Sequence, residues 1–167
     1  MNVAEAVKEK EPLQTPMEAP IEIPQGKEIY LFVCSGNTCR SPMAAALFNH
    51  YYGSSSRTAD SAGLYADGAP LSQNAARALE LAGITPPENH ISKTVDASML
   101  RQATQVIGIT AAHADSLLWS CPQFASKITK LPIDIPDPYG GDLEQYQACL
   151  EKIKEALSQM FGPAEPA

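Results

Sequence analysis

The pattern of apolar and polar positions divides this chain into strand-like and helix-like stretches that alternate. Short runs predict strands at residues 29–33, 57–62, 105–110 and 127–131. Stretches with apolar residues three or four positions apart predict helices at residues 42–52, 71–82, 97–102 and 111–120. The stripe from Leu143 to Met160 predicts the final and clearest helix, and Asp142 with Gln145 stands where a capping pair is expected.

This order of strands and helices predicts an α/β fold. Strands separated by helices form a parallel sheet with right-handed crossovers, because each helix packs back onto the sheet. We therefore expect a single three-layer α/β/α domain, with a four-stranded parallel sheet and helices on both faces. Ligand sites in such folds lie at the carboxyl ends of the strands, so functional residues are expected at that edge.

The folded domain is predicted to cover residues 28–161. A chain of 167 residues is long enough to bury one proper core. Residues 1–27 mix Glu, Lys, Pro and Gln with scattered apolar residues and show no sustained period, which predicts a flexible N-terminal tail. Residues 162–167 are expected to form a loose C-terminus.

The composition is typical of a cytoplasmic globular protein and disfavours several classes of function. The net charge of −7 argues against general nucleic-acid binding. No run approaches the ~20 apolar residues of a membrane span, and the acidic N-terminus does not resemble a signal peptide, so no membrane contact is expected. Four cysteines without a short-spaced framework argue against a disulfide-built secreted module.

The three histidines are scattered at His50, His90 and His113, so neither a metal nor another cofactor is expected. The oligomeric state stays undetermined.

The segment from Val33 to Pro42, with the sequence VCSGNTCRSP, carries the candidate chemistry. It lies between a predicted strand and the helix-start signal Ser41-Pro42, so its backbone N–H groups converge on one point that attracts an anion. Cys34 precedes the helix N-terminus, where the helix dipole and the loop amides favour a reactive thiolate. Arg40 offers a planar fork of donors that matches two phosphoryl oxygens.

The other residues of this loop suit a pocket for a phosphoryl group. Gly36 permits a backbone conformation that lets the loop curl around the anion. Asn37 and Ser41 are short polar residues that can hydrogen-bond the loop and hold it curled. Loop amides and Arg40 would stabilise the equatorial oxygens while phosphorus is transferred to sulfur. A C-x5-R spacing alone would fit a buried structural cysteine beside a turn, but the full segment in this context predicts a phosphatase with Cys34 as the nucleophile.

The same segment resembles the phosphate-binding loop of the low-molecular-weight protein tyrosine phosphatases. The segment Asp137-Pro-Tyr-Gly resembles the general-acid loop of that family, and Ser61-Ala-Gly and Asn89-His90 resemble further family positions. The resemblance covers residues 28–161. It implies hydrolysis of a phosphorylated protein side chain through a phospho-cysteine intermediate, without a cofactor.

The resemblance also implies a role for each matching residue. Asp137 would be the general acid for the leaving group and then the base for the hydrolytic water, held stiffly by its neighbouring prolines. Tyr139 would form a wall of the substrate cleft, and Ser61 and His90 would brace the phosphate loop. The residues implied in binding phosphate and substrate are Ser35, Gly36, Asn37, Thr38, Cys39, Ser41 and Tyr139.

The remaining cysteines allow more than one interpretation. The resemblance implies that Cys39 can form a disulfide with Cys34 on oxidation, which would protect the nucleophile. A small buried side chain would explain Cys39 equally well. Cys121 and Cys149 have no such context and are expected to be ordinary reduced thiols.

The substrate is harder to predict, because one branch of the family acts on phosphotyrosine and another on phosphoarginine. Thr38 matches the arginine-directed branch, since tyrosine-directed members usually carry a bulkier aliphatic residue there. A threonine leaves room and a hydroxyl for a guanidinium phosphate. Gly140-Gly141 also resembles that branch, and Asp137 could pair with a guanidinium. Tyr139, however, stands where that branch carries Phe. Phosphoarginine is slightly favoured, and phosphotyrosine is the alternative.

Two alternatives of other classes stay open. An arsenate reductase built on the same loop needs two further cysteines to relay a disulfide outward, and the 28 positions between Cys121 and Cys149 disfavour it. A non-enzymatic phosphate-binding module would lack either the nucleophile or the acid, whereas this chain has both Cys34 and Asp137.

Overall fold

A computed structural model describes residues 26–164 of the protein. The predicted N-terminal tail lies outside the described residues except for its last two, and residues 165–167 of the predicted loose C-terminus also lie outside them. The strands are β1 Glu28–Cys34, β2 Arg57–Gly63, β3 Gln105–Gly108 and β4 Ile128–Lys130. The helices are α1 Arg40–Tyr52, α2 Gln73–Leu81, α3 Ala97–Gln102, α4 Ala111–Ser120 and α5 Leu143–Phe161, with a 3₁₀ helix at Pro122–Lys127. No helix in this range is long and apolar enough to cross a membrane.

The four strands form one parallel sheet in the order β2-β1-β3-β4. In the middle of the sheet, β1 places Cys34 opposite Gly63 of β2 and Val33 opposite Gly108 of β3. The carboxyl ends of these three strands therefore meet at one edge. The predicted α/β class with a four-stranded parallel sheet is confirmed.

Helices cover both faces of the sheet because β1 is apolar on both sides. Tyr30, Phe32 and Cys34 pack into one core with α1, α2 and α5. Leu31 and Val33 pack into a second core with α3 and α4. Burying one large apolar side chain contributes about 1.5–3 kcal/mol to the stability of the fold. Because successive apolar side chains of β1 point to opposite faces of the sheet, a layer of helices is favoured on each face.

The third strand is shorter than predicted. The pattern predicts a strand over residues 105–110, but β3 ends at Gly108. Thr110 instead caps α4, since its hydroxyl accepts a hydrogen bond from the N–H of His113 at 3.3 Å. The junction between β3 and α4 therefore places a histidine at the edge where the strands end.

The helices begin and end within two residues of their predicted bounds. The first helix begins at Arg40 rather than at residue 42, so Arg40 belongs to the first turn of α1. The last helix begins as predicted after Asp142, whose carboxylate accepts a hydrogen bond from the N–H of Gln145 at 3.0 Å. In turn, the side-chain oxygen of Gln145 accepts a hydrogen bond from the N–H of Asp142 at 2.9 Å, which completes the predicted capping pair.

Candidate active site

The segment VCSGNTCRSP connects the central strand to the first helix. Cys34 is the last residue of β1 and Arg40 is the first residue of α1, so residues 35–39 form a short loop at the carboxyl edge of the sheet. Gly63, at the end of β2, lies against this loop, and a Cβ atom on it would sit 2.5 Å from the carbonyl oxygen of Ser35. A glycine there lets β2 approach the loop this closely. Cys34 is buried at the base of the loop.

Asn37 holds the loop from inside. Its backbone is in the left-handed region, at φ +60°, and its side chain is fully buried. The N–H of Lys93 donates to Asn37 Oδ1 at 3.0 Å, which fixes the orientation of the amide. The amide Nδ2 then donates to the hydroxyls of Ser41 and Ser61, both at 2.9 Å. His90 Nε2 lies 2.8 Å from the Asn37 carbonyl oxygen and carries the hydrogen of this bond, because a carbonyl oxygen only accepts.

Ser41 extends this chain of hydrogen bonds to Cys34. Its Oγ lies 3.0 Å from Cys34 Sγ and 3.3 Å from the carbonyl oxygen of Ala62. Ser41 Oγ accepts from Asn37 and carries one hydrogen, for which the Ala62 carbonyl oxygen and a Cys34 thiolate are the two acceptors within reach. A hydroxyl donor at this distance stabilises negative charge that develops on the sulfur during a reaction.

Arg40 connects the loop to the segment that carries the candidate acid. The buried guanidinium donates from Nη1 to the carbonyl oxygen of Ile135 at 2.9 Å, and its Nη2 lies 3.6 Å from Asp137 Oδ2. The other carboxylate oxygen, Oδ1, accepts from the N–H of Tyr139 at 3.1 Å. Asp137 is half exposed and faces the loop with one oxygen towards Arg40.

Together these segments enclose a cleft of about 230 Å³ over the loop. It is lined by Cys34, Gly36, Asn37, Thr38, Cys39, Arg40, Tyr65, Asp67, Ala69, Asp137 and Tyr139. The structure therefore brings the predicted nucleophile, arginine, acid and aromatic residue to one place. Ser35, Ser41, Ser61 and His90 are not lining residues of this cleft. Ser41, Ser61 and His90 bond to Asn37 instead, and the Ser35 side chain bonds to His113.

One wall of the cleft comes from a segment that carries no recognisable motif in the sequence. Tyr65, Asp67 and Ala69 follow directly after β2. The N–H of Tyr65 donates to the carbonyl oxygen of Ser35 at 2.9 Å, which holds this segment against the loop. Its position at the carboxyl end of a parallel strand and its turn pair Asp67-Gly68 are the signals that could have identified it.

His113 also contacts the loop, although its position in the sequence does not indicate a role. Its Nε2 lies 3.0 Å from Ser35 Oγ, and the N–H of Thr110 donates to its Nδ1 at 3.2 Å. Because Nδ1 accepts, the neutral ring carries its hydrogen on Nε2 and donates to Ser35. Burial, followed by the positive charge of Arg40, lowers the pKa of His113 from 6.5 to about 4. At neutral pH an uncharged His113 therefore holds the first residue of the loop.

We expect His113 to weaken the fold in acid. An ordinary histidine takes up a proton near pH 6.5, as it would in the unfolded chain, whereas folded His113 stays neutral down to about pH 4. Between these pH values the unfolded state binds more protons, so the free energy of unfolding falls as the pH is lowered. The fall attributable to His113 is roughly 3 kcal/mol, and the His113→Gln variant should lack it. Urea unfolding at several pH values between about 7 and 4 measures both curves.

The difference between the wild-type and variant curves isolates His113 from carboxylates that also titrate in this range. His50→Gln is the matched control, since His50 is an exposed residue of α1, and this variant should keep the wild-type slope. A His113→Gln curve parallel to that of the wild type would show that the buried ring does not couple folding to pH.

The four cysteines are free thiols that lie in two separate cores. Cys34, Cys39 and Cys149 belong to the core on the α1 and α5 face, whereas Cys121 belongs to the core on the α4 face. Cys149 Sγ lies 3.9 Å from the carbonyl oxygen of Pro136, next to the acid segment, a position that the sequence did not indicate. Burial raises the pKa of Cys121 to about 11 and that of Cys149 to about 12, so both are protonated at neutral pH.

A thiol and a guanidinium on one strand–loop–helix turn, with a carboxylate facing them, define the site of a cysteine-based phosphatase. The chain belongs to the low molecular weight phosphotyrosine protein phosphatase family, whose model matches residues 29–165. The protein is thus a cysteine-based protein phosphatase. Among residues 26–164, no group of three or more His, Cys, Asp or Glu side chains is placed to hold a metal ion.

The similar proteins are named after three different activities. The protein-arginine-phosphatase of Geobacillus stearothermophilus is 31% identical over 137 residues, which cover 78% of this chain and 91% of that protein. Arsenate reductase 2 of Bacillus cereus is 31% identical over 141 residues, which cover 84% of this chain and 99% of that protein. The structure of a low molecular weight protein tyrosine phosphatase from T. tengcongensis superposes with a TM-score of 0.73 at 33% identity, covering 80% of this chain and 97% of that one.

Proposed function

We propose that the protein removes phosphate from phosphoarginine side chains of protein substrates. The observation that carries this proposal is the position of Thr38 in the lining of the cleft, next to the loop cysteines. In phosphoarginine the guanidinium is bonded directly to phosphorus, so it would lie just above the loop, where a short hydroxyl side chain leaves it room and a hydrogen-bond partner. The name of the similar protein from Geobacillus stearothermophilus supports the same substrate.

In the first step Cys34 would attack phosphorus. The new S–P bond forms as the P–N bond breaks, and the Asp137 carboxyl group gives its proton to the leaving guanidine nitrogen. The loop amides and Arg40 hold the three equatorial oxygens, whose charge must be stabilised in the transition state. The Arg40–Asp137 contact at 3.6 Å supports this assignment, since it sets the acid beside the group that grips the phosphate.

In the second step water would hydrolyse the phospho-cysteine. The Asp137 carboxylate takes a proton from the water, whose oxygen attacks phosphorus, and the S–P bond breaks to release inorganic phosphate and the Cys34 thiolate. The Ser41 hydroxyl, 3.0 Å from the sulfur, is placed to stabilise the departing thiolate.

The remaining polar residues keep the loop curled before the substrate arrives. Asn37 bonds to Ser61 and receives a bond from His90, so two segments far away in sequence hold the loop from outside. A loop that is already in shape avoids reorganisation during the reaction, which is where much of the catalytic effect of such donors comes from. Ser61 and His90 would therefore act as positioning residues.

Phosphotyrosine is the second candidate substrate, and the aromatic rim of the cleft is compatible with it. Tyr65 and Tyr139 both line the cleft, with exposures of 61% and 77%, and either ring could pack on a phenyl ring. The same rings also attract a guanidinium through their faces, so the rim does not decide between the two substrates.

Arsenate reduction fits the cysteines poorly. A relay of disulfides needs two further cysteines that can approach each other, but Cys121 and Cys149 lie in cores on opposite faces of the sheet. Both are also protonated at neutral pH, which makes them poor nucleophiles. We place the phosphatase in the cytoplasm, where the free nucleophilic thiol that it needs stays reduced.

The Thr38→Ile variant should shift the preference from phosphoarginine to phosphotyrosine peptides. Isoleucine adds volume at the cleft lining and removes the hydroxyl, so a planar, polar guanidinium loses both space and a hydrogen bond. A change of this size in a pocket is worth about tenfold or more in the ratio of the two kcat/KM values. The measurement is that ratio for matched peptides, first for the wild type and then for the variant.

Thr38→Val is the matched control, because it removes the hydroxyl while keeping the volume. An intermediate ratio for this variant would separate the hydrogen bond from the lack of space. A wild-type enzyme that hydrolyses phosphotyrosine but no phosphoarginine would contradict the proposed substrate, and an unchanged ratio in Thr38→Ile would remove Thr38 from the argument.

A further inference from the structure

Asp67 lines the cleft without any part in the reaction described above. It lies in the segment after β2, and its Oδ1 accepts a hydrogen bond from the N–H of Ala69 at 3.2 Å. Gly68, at φ +83°, lies between them and allows the tight turn. The side chain of Asp67 is exposed at the surface yet fixed by this turn, next to Tyr65 on the same wall.

A second carboxylate is an unexpected feature in a cleft that binds phosphate. A phosphoryl group carries negative charge, so each carboxylate nearby weakens its binding unless a positive charge is also present. Arg40 is already shared between the Ile135 carbonyl oxygen and Asp137. None of the ion pairs among residues 26–164 involves Asp67, so a positive charge on the substrate would be the partner that makes this carboxylate favourable.

The two candidate substrates differ in this charge. The leaving group of phosphotyrosine is a neutral phenyl ring, which gains nothing from a carboxylate. Phosphoarginine has a guanidinium bonded to phosphorus, with N–H donors directed away from the phosphate along two edges of one plane. Asp67 lies after β2 and Asp137 lies before α5, and both segments border the cleft over Cys34.

We propose that Asp67 is a specificity-determining residue that pairs with the guanidinium of phosphoarginine. This inference rests on the proposed function and assigns to Asp67 the discrimination against uncharged leaving groups. Asp137 would serve the nitrogen that leaves phosphorus, and Asp67 would receive the N–H donors on the outer edge of the group. Because Asp67 touches no reacting atom, its contribution belongs to substrate binding and should appear mainly in KM.

The Asp67→Asn variant tests this role sharply. Asparagine keeps the oxygen that accepts from Ala69, so the turn survives while the charge is lost. We expect the ratio of kcat/KM for phosphoarginine over phosphotyrosine peptides to fall about fivefold, the size of an exposed charge pair, through a higher KM for phosphoarginine. In the wild type this ratio should also fall as salt is added, because salt screens exposed charges, and the variant should have lost most of that salt dependence.

Glu155→Gln is the matched control, since it removes the same charge from an exposed position about 20 Å along α5 from the start of that helix. Its ratio and salt dependence should equal those of the wild type, whereas Asp67→Glu should recover part of the loss. If the wild type hydrolyses phosphoarginine and Asp67→Asn leaves the ratio unmoved, the role of Asp67 is wrong and the proposed function stands. If the wild type does not hydrolyse phosphoarginine at all, both are wrong.

Discussion

Replacing Cys34 with serine is expected to abolish turnover and to leave phosphate binding in place. A serine hydroxyl is protonated at neutral pH, and among residues 26–164 the side chain that bonds to Cys34 is the Ser41 hydroxyl, which is not a base. Serine therefore cannot replace a thiolate that attacks phosphorus. Loss of a nucleophile that acts together with its supporting groups typically costs a factor of about 10⁴–10⁶ in kcat. Turnover of an aryl phosphate with a good leaving group measures this loss without any dependence on the natural substrate.

Phosphate binding should survive in Cys34→Ser because Arg40 and the loop amides are untouched. Isothermal titration with inorganic phosphate measures it, and the protein that is titrated must show the wild-type unfolding transition. Cys121→Ser is the matched control, since Cys121 is equally buried but belongs to the core on the other face of the sheet. Residual activity above about a tenth of the wild-type value in Cys34→Ser would contradict the assignment of the nucleophile.

The fold was predictable because its evidence is local. The apolar run of β1 and the apolar stripe of α5 each lie within one stretch of sequence, and each predicts its element directly. The end of β3 was not predictable in this way, because Thr110 suits both the end of a strand and the cap of a helix. The hydrogen bond from the N–H of His113 shows that it caps the helix. A local bond from a side chain to the backbone competes here with the strand, and residue preferences alone do not decide between the two.

The candidate site was predictable to the extent that it is contiguous. Cys34 and Arg40 belong to one loop, and a resemblance led to Asp137. Asp67 and His113 were missed, because each contacts the loop or the cleft from a separate crossover and carries no spacing of its own. The topology nevertheless limits where such residues can be, since both follow the carboxyl ends of strands that flank β1.

Replacing Asp137 with asparagine is expected to slow the enzyme in proportion to how poorly the leaving group departs. Asparagine keeps the oxygen that accepts from the N–H of Tyr139, so the acid segment keeps its shape while the proton donor is lost. General acid catalysis contributes about 10²–10⁴-fold, and we expect a loss of that size for phosphoarginine and for alkyl-substituted phenyl phosphates. A nitrophenyl phosphate should lose far less in the first step, because its leaving oxygen needs no proton.

The measurement is the slope of log kcat/KM against the pKa of the leaving phenol, which should become steeper in Asp137→Asn because kcat/KM reports the step that forms the phospho-cysteine. Asp134→Asn is the matched control, since it removes a charge from an exposed residue of the same segment whose carboxylate accepts from the N–H of Ala111 at 2.9 Å rather than facing Arg40. It should leave the slope as in the wild type. Equal slowing of all leaving groups in Asp137→Asn would mean that the carboxylate only orients Arg40, across their 3.6 Å contact, and that the proton comes from elsewhere.

Inorganic phosphate should inhibit Asp137→Asn at least as strongly as it inhibits the wild type, because a carboxylate that repels the anion has been removed.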